Sequence, residues 1–499
     1  MKKYNLYLFA FIVIAALSSC SKSYLDVNTN PNSPTSTTPE LVFPNALVVS
    51  VSGQVTDYAY LEGWMNYWAP SGSYAVGNTD VASYYQTSST YAGIWDKYYH
   101  NLQDYEYVEE AADAQNKPFY IGAAKVMKAY IFQELVDLFN NIPYSQALQG
   151  TSEIQPAYDK GQDVYDSISA DLDSAVIYFQ NPSATAKATS DVLFSGDASS
   201  WIAFANTLKL RILMRQSKVS SRQSVITAGI AKINANGGGY LTTDAGVNPG
   251  YASNSGQQSP VYGYFYTITG TPTSGGRADY WRASAYMIDY CRNFGDPRYL
   301  WLYQPVTGTD TAYVGNILGS TTNFSTTTSS GAAGTGIVKT VSQPAILMTA
   351  AESYFLQAEA ILDGYISGGD LTAAYTSGVN AAFAYLGAPA DSAAKILSLP
   401  GNKNSNLAAC TTTQEKLNCI IRQKWIAMNG TTPFEGWCDY RRLGLPANPS
   451  IPISVSPYKV SNNIPFRLLY PTTEYQTNAA AVANEGTIDP QTSKIWWMP

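Results

Sequence analysis

FYIGAAKVMKAYIFQELVDLFNN, residues 119–141, repeats apolar side chains at the three- and four-residue spacing of a helix. Small and bulky residues alternate along it, with Ala123, Ala124 and Ala129 beside Tyr130 and Phe132. A helix patterned this way lets a neighbour approach closely while large rings fill the remaining space. That is the packing logic of tetratricopeptide-type helical hairpins, although no strict 34-residue repeat runs through the chain.

The same spacing recurs on both sides. It is present in LVFPNALVVSVSGQV (41–55), SSTYAGIWDKYYHNLQDYEYVEEAADA (88–114), GQDVYDSISADLDSAVIYF (161–179) and SSWIAFANTLKLRILMRQS (199–217). Asp197 is a candidate N-cap ahead of Trp201. Helical spacing returns in LMTAAESYFLQAEAILDG (347–364), DLTAAYTSGVNAAFAYLG (370–387) and EKLNCIIRQKWIAMNG (415–430). Between them, residues 237–340 are rich in Gly, Ser, Thr, Asn and Tyr, and only Asp279–Cys291 reads as helical. After Pro433 the tail reads as irregular, ending in SKIWWMP. The expected fold is therefore mainly α. A tetratricopeptide-like hairpin scaffold (about 41–236 and 341–430) carries a loop-rich ligand-binding insertion (about 237–340), an irregular tail (431–499) and little β structure. Residues 41–499 are read as a single domain. Loops held on a rigid helical frame are where binding sites usually lie.

The N-terminal stretch has another character. Lys2 and Lys3 precede an apolar run from Leu6 to Leu17, the layout of a secretory signal. Leu17-Ser18-Ser19-Cys20 resembles a bacterial lipobox, which implies a signal peptide over 1–19 and lipidation of Cys20. A plain signal peptide with an incidental cysteine, or an uncleaved anchor, are the alternatives. Ser21 in place of Asp resembles the sorting rule for the outer membrane of Gram-negative bacteria. Residues 20–40, with three prolines beyond Ser21 and no helical or strand period, read as a lipidated flexible tether. Asp26, Asn28 and Asn30 imitate the opening of a calcium loop, but Pro31 and Thr37 occupy positions that need Gly and Glu.

Composition narrows the function. The formal charge is −7, and removing residues 1–19 takes away two lysines and no acid, giving −9. With no basic tract, nucleic acid is excluded as an expected partner. Cys291, Cys410, Cys419 and Cys438 remain after Cys20 and could form two disulfides, with Cys410 and Cys419 the nearest pair in sequence. No zinc-ligand spacing is present, and no metal or cofactor is expected. The chain has 39 Tyr, 10 Trp and 16 Phe. Such rings suit a ligand that is polar at its edges and apolar on its faces, as sugars are.

No phosphate loop, dinucleotide fingerprint or nucleophile elbow is present. The single histidine, His100, reads as a solvated or helix-packed side chain rather than a triad member. Glu352 and Glu359 share one helix face, but their Ala, Leu and Phe neighbours favour partners inside a bundle over an open glycosidase cleft. Binding without catalysis is the expected activity. A glycosidase and a structural helical-repeat adaptor are the competing readings.

Several segments together resemble the SusD/RagB-like outer-membrane lipoproteins, in particular the second SusD-like subgroup. They are YLDVNTNP (24–31), AAKVMKAYIFQELVDLFNNIPYSQAL (123–148), VYDSISADLDSA (164–175) and FSGDASSWIAFANTLKLRILMR (194–215), then DPR (296–298) and the acidic helix around Glu352 and Glu359. QKWIAMNGTTPFEGWCDYRRLGLP (423–446) and IPFRLLYPTTEYQTN (464–478) are the most specific. The resemblance implies a tetratricopeptide-bearing protein on the outer face of the outer membrane. It would act as a lid on a SusC-like TonB-dependent transporter and pass it captured oligosaccharides or, in a variant of the same role, peptides.

The motif residues themselves read as framework. Asp197 and Trp201 form a helix start and core. Trp425, Glu435, Trp437, Asp439, Arg441 and Arg442 form a buried staple, and Arg467 and Glu474 read likewise. The ligand-binding candidates are aromatics in glycine-rich context: Trp64, Tyr67, Trp68, Tyr74, Tyr84 and Tyr85 early, and Tyr262, Tyr264, Tyr266, Tyr280 and Trp281 in the insertion. Arg277, with Asn66, Asn78, Asp80 and Asp279, could bond hydroxyl groups. Packing or a solvated loop is the alternative for each of them.

Overall fold

Helices in the computed structural model form where the apolar periodicity is sustained, and they pack in chain order as antiparallel neighbours. The first half comprises α1 (Pro39–Thr56), α2 (Ala59–Trp64), β1 (Trp68–Pro70), α3 (Asp80–Ser83), α4 (Ala92–Ala114), α5 (Pro118–Phe139), β2 (Ile142–Pro143), β3 (Tyr158–Asp159), α6 (Gly161–Gln180), α7 (Ala198–Arg215) and α8 (Gln223–Asn236). The insertion holds β4 (Ala245–Val247), α9 (Pro260–Phe265), α10 (Arg277–Tyr280), β5 (Trp281–Ala283), α11 (Ala285–Asn293) and α12 (Tyr299–Leu302). The remainder comprises β6 (Ala345–Met348), α13 (Ala350–Leu362), α14 (Leu371–Tyr385), α15 (Ala390–Leu397), α16 (Thr413–Met428), α17 (Pro433–Leu443), α18 (Thr472–Thr477) and α19 (Ala479–Asn484). The structure describes residues 37–499 except 75, 76, 78, 186, 187, 274, 275 and 448, and Pro39–Pro499 form one unit. The signal peptide, Cys20, the tether as far as residue 36 and Asn78 lie outside the described residues.

α5 is the central rod. Only Lys125 and Lys128 of its side chains escape burial, and both pair with acids of α4 or α6. At Gly122 an added Cβ would meet the Ala175 carbonyl oxygen at 3.1 Å and the Phe179 ring at 3.1 Å, so the close pairing of α5 with α6 requires glycine there. α4 packs on the other side of α5, and α6 on α7. The Asp197 carboxylate caps α7 by accepting from the backbone N–H groups of Ser199 and Ser200 at 3.3 and 3.1 Å. The second half pairs α13 with α14 and with α16 around Phe355, Tyr375 and Ile420.

Charged side chains join the halves. Glu352 on α13 takes a bidentate bond from Arg211 on α7 at 2.7 and 2.9 Å, and Glu359 one from Arg442 on α17 at 2.5 and 2.9 Å. Glu435 accepts from Arg215 at 2.7 Å, and Asp439 forms an ion pair with Lys424 at 2.8 Å and accepts from Arg442 at 2.9 Å. Each of these side chains is at most 5% exposed. Glu352 and Glu359 are therefore locked to arginines and face no cleft. Burial opposes the charged form of Glu352, and pairing with Arg211 offsets that cost.

Two expectations are corrected. The tail does not lose helicity at Pro433, because proline at the first helical position starts α17 rather than ending a helix. The four described cysteines are buried free thiols, so Cys410 and Cys419 form no disulfide. The rest of the tail straps back over α5. Leu468 N–H donates to the Leu138 carbonyl at 2.8 Å, Arg441 donates to the Asp137 carbonyl at 2.6 Å, and the Trp497 indole donates to the Asp137 carboxylate at 2.7 Å.

Candidate ligand-binding cleft

One short antiparallel ribbon brings the early aromatics and the insertion together. β1 pairs with β5, Trp68 opposite Ala283 and Pro70 opposite Trp281. The pairing continues as Ser71 N–H donates to the Tyr280 carbonyl at 2.8 Å. Beside the ribbon opens a cleft of about 330 Å³ between the end of α1, α2, the start of α4 and the insertion. That volume lies near the lower end of small-ligand sites.

Tyr264, Arg277, Tyr280 and Trp281 line this cleft. The Trp281 indole donates to the Tyr264 hydroxyl at 3.1 Å, and its ring meets Tyr280 edge-on at 4.8 Å. Arg277 holds its guanidinium 5.6 Å from the centre of the Tyr264 ring. Burial raises the Tyr264 hydroxyl pKa, while the Arg277 charge pulls it the other way. Tyr74 stands one step back, edge-on to Tyr280 at 5.5 Å.

The other sequence candidates divide. Trp64, Tyr67 and Tyr84 are fully buried and belong to the core rather than to a binding surface. Trp64 donates to the Val81 carbonyl at 3.2 Å, and Tyr67 stacks on Trp425 at 5.4 Å and donates to its carbonyl at 2.7 Å. Tyr84 sits in left-handed backbone with its hydroxyl accepting from Ser454 N–H at 2.8 Å. Trp68, 4% exposed, packs between Phe265 and Trp281 and is not among the residues lining the cleft. Tyr266 is tied to Gln304, and Tyr262 packs on Tyr266. Tyr85 is exposed at the surface, outside the cleft lining. Asn66 is buried and donates to the Pro452 carbonyl at 2.8 Å. The glycine-rich sequence around these residues signalled loops, but the loops fold inward.

The sequence reading missed Tyr60 and Tyr91. They stack at 3.9 Å between ring centres and line the cleft. Both bury hydroxyls that find no hydrogen-bond partner among the described residues, and burial raises the pKa of each. Tyr60 lies in the short helix α2 and Tyr91 stands just ahead of α4 in left-handed backbone, and no local sequence pattern marks either. Asp57, also on the rim, is paired with Lys97 at 2.8 Å.

A helical frame that presents an aromatic, hydroxyl-rich cleft on its loops defines a binding protein. The chain belongs to the second SusD-like family, whose model matches residues 31–471 and is described as starch-binding, associating with the outer membrane. Its fold is similar to that of a nutrient-binding outer-membrane protein from Bacteroides vulgatus, with 22% identity, a TM-score of 0.76 and coverage of 93% of this chain and 100% of that one. A SusD/RagB family protein from Bacteroides thetaiotaomicron is similar at 22% identity, TM-score 0.70, with 93% and 99% covered. So is a chitin-binding SusD homologue from Flavobacterium johnsoniae, at 23% identity, TM-score 0.73, with 92% and 98% covered. No curated protein matches the chain.

Proposed function

We propose that this protein is a cell-surface lipoprotein that captures oligosaccharides without chemical change and passes them to a SusC-like TonB-dependent transporter, for which it acts as the lid. The observation that carries the reading is the convergence of Tyr264, Arg277, Tyr280 and Trp281 on one cleft, from loops fixed to a rigid helical frame. Family membership supports a carbohydrate ligand and an outer-membrane setting. Cys20 would carry the lipid, and residues 20–40 would let the folded unit swing while attached. Rings supply stacking faces, and Arg277 and the tyrosine hydroxyls supply polar contacts at the sugar edges.

Calorimetric titration of residues 21–499 with starch-type, chitin-type and other oligosaccharides, and with peptides, tests this. Heat from one glycan class, weakened by Tyr280→Ala and by Arg277→Ala, is the expected result. Binding of peptides alone would shift the ligand class. Release of reducing ends by the pure protein would overturn the non-catalytic reading.

A further inference from the structure

A second and larger cleft, of about 510 Å³, borders the next turn of α4. Trp95 and Tyr99 form part of its wall, the loop carrying Leu148 and Ile154 forms the facing side, and Glu474 closes one end from the tail. Its polar character is one-sided. Asp96, Glu153 and Glu474 line it, and no lysine or arginine is among its described lining residues. His100 stands beside them.

These acids are not neutralised in the way that those of the core are. None of the three appears in an ion pair among the described residues. Glu474 accepts from the Tyr158 hydroxyl at 2.6 Å, a neutral donor, and Glu153 accepts from Gln155 N–H at 3.0 Å. Burial raises the Glu474 carboxyl pKa, and the neighbouring Asp96 adds to the rise. Apolar surface lies next to these acids. The Tyr99 ring, half-buried, backs onto the buried Trp95 at 4.9 Å, and Ile154 is exposed. Carboxylates beside aromatic faces recognise an organic cation, through ion pairing and through attraction of the cation to the rings. A chain with a formal charge of −7 draws such a ligand in from solution.

We propose that this cleft is a second ligand site, separate from the aromatic cleft, that binds a primary ammonium group carried on an apolar or sugar body. A lysine side chain of a peptide and a glucosamine with a free amine share that chemistry. Asp96, Glu153 and Glu474 hold the charge, and Tyr99 and Ile154 bear against the body.

The test titrates the soluble full chain with trilysine amide and with a glucosamine trimer, each beside its N-acetylated form, at low and at physiological salt. At least one ammonium probe is expected to bind, its acetylated form to bind at least tenfold more weakly, and Asp96→Asn/Glu153→Gln to weaken binding at least tenfold. Which of the two probes binds distinguishes peptide from amino sugar. Both substituted positions are partly or fully exposed, so the variant should fold, and an unchanged melting temperature checks this. Asp113→Asn/Asp310→Asn removes the same charge elsewhere and is expected to leave affinity within twofold. Binding of neither ammonium probe, equal binding of the acetylated forms, retention of affinity in the cleft variant or an equal loss in the control would overturn the proposal.

Discussion

Inside the helical core, Glu352, Glu359, Glu435 and Asp439 each meet an arginine or lysine at 2.9 Å or less, whereas at the aromatic cleft Tyr60 and Tyr91 bury hydroxyls that find no hydrogen-bond partner among the described residues. Both regions are dense in aromatic and polar side chains, and sequence composition hardly separates them. The difference lies in whether each charged or polar group meets a partner of matching chemistry. Where opposite charges meet, the groups specify how the helices fit together, even with single atoms such as Glu435 Oε1 and Arg442 Nε left over. Where whole hydroxyls are left without a partner beside a cleft, the fold gains nothing from them.

The largest way to break that comparison is Glu352→Ala, which leaves Arg211 buried without its bidentate partner. Denaturant unfolding should show a loss of about 3–5 kcal/mol. Replacing both residues with apolar side chains of similar volume should recover most of it, which would separate the cost of an orphan charge from the worth of the pair. A loss below ~1 kcal/mol in the single variant would remove the pair from its assigned place in the fold.

A second test uses pH. Glu134 on α5 is buried among Gln54, Tyr58 and Tyr98, and burial raises its carboxyl pKa from the ordinary glutamate range to about 7, against hydrogen bonds and the Arg211 charge that lower it. The folded chain therefore holds this proton where the unfolded chain has lost it. Its contribution to stability is full below about pH 4.5 and is lost as pH rises to about 7, a fall on the order of 2–3 kcal/mol. Glu134→Gln should flatten that part of the stability profile relative to the parent chain. Parallel profiles for the two would refute the assignment.

Smaller effects should appear at the cleft. Tyr280→Ala is expected to weaken glycan binding by about 1 kcal/mol, roughly fivefold, with stability changed less than by truncation of the buried Trp64. Titration and thermal unfolding of both variants would show it. Smallest of all, Tyr60→Phe should alter stability by less than about 1 kcal/mol, and in the stabilising direction, because the hydroxyl has no partner among the described residues to lose. A marked destabilisation would mean that the hydroxyl is satisfied within the fold.

Much of the framework was legible before any coordinates. Asp197 as a cap, the arginine- and tryptophan-rich stretch from Trp425 to Arg442 as a buried staple, and the close pairing of α5 all follow from local pattern. α17 escaped because its charged residues point inward and Pro433 looks like a stop. At the cleft, Tyr264, Arg277, Tyr280 and Trp281, which the sequence groups only as aromatics and an arginine in polar loops, line one opening. Trp64, Tyr67 and Tyr84 carry the same signal, yet their partners, Val81, Trp425 and Ser454, are up to several hundred residues away in sequence. No local pattern reports such distant contacts. Tyr60 and Tyr91 carry no such signal, because neither a position in a short helix nor one just ahead of a long helix hints that the ring borders open space.

The carboxylate of Asp137 bonds Tyr165, Arg215 and, 360 residues later, Trp497, two positions from the end of the chain. The central rod of the first hairpin is thus closed by a segment 360 residues downstream. Contacts so far apart in sequence make folding slow and leave the early helices incomplete until that distant segment arrives.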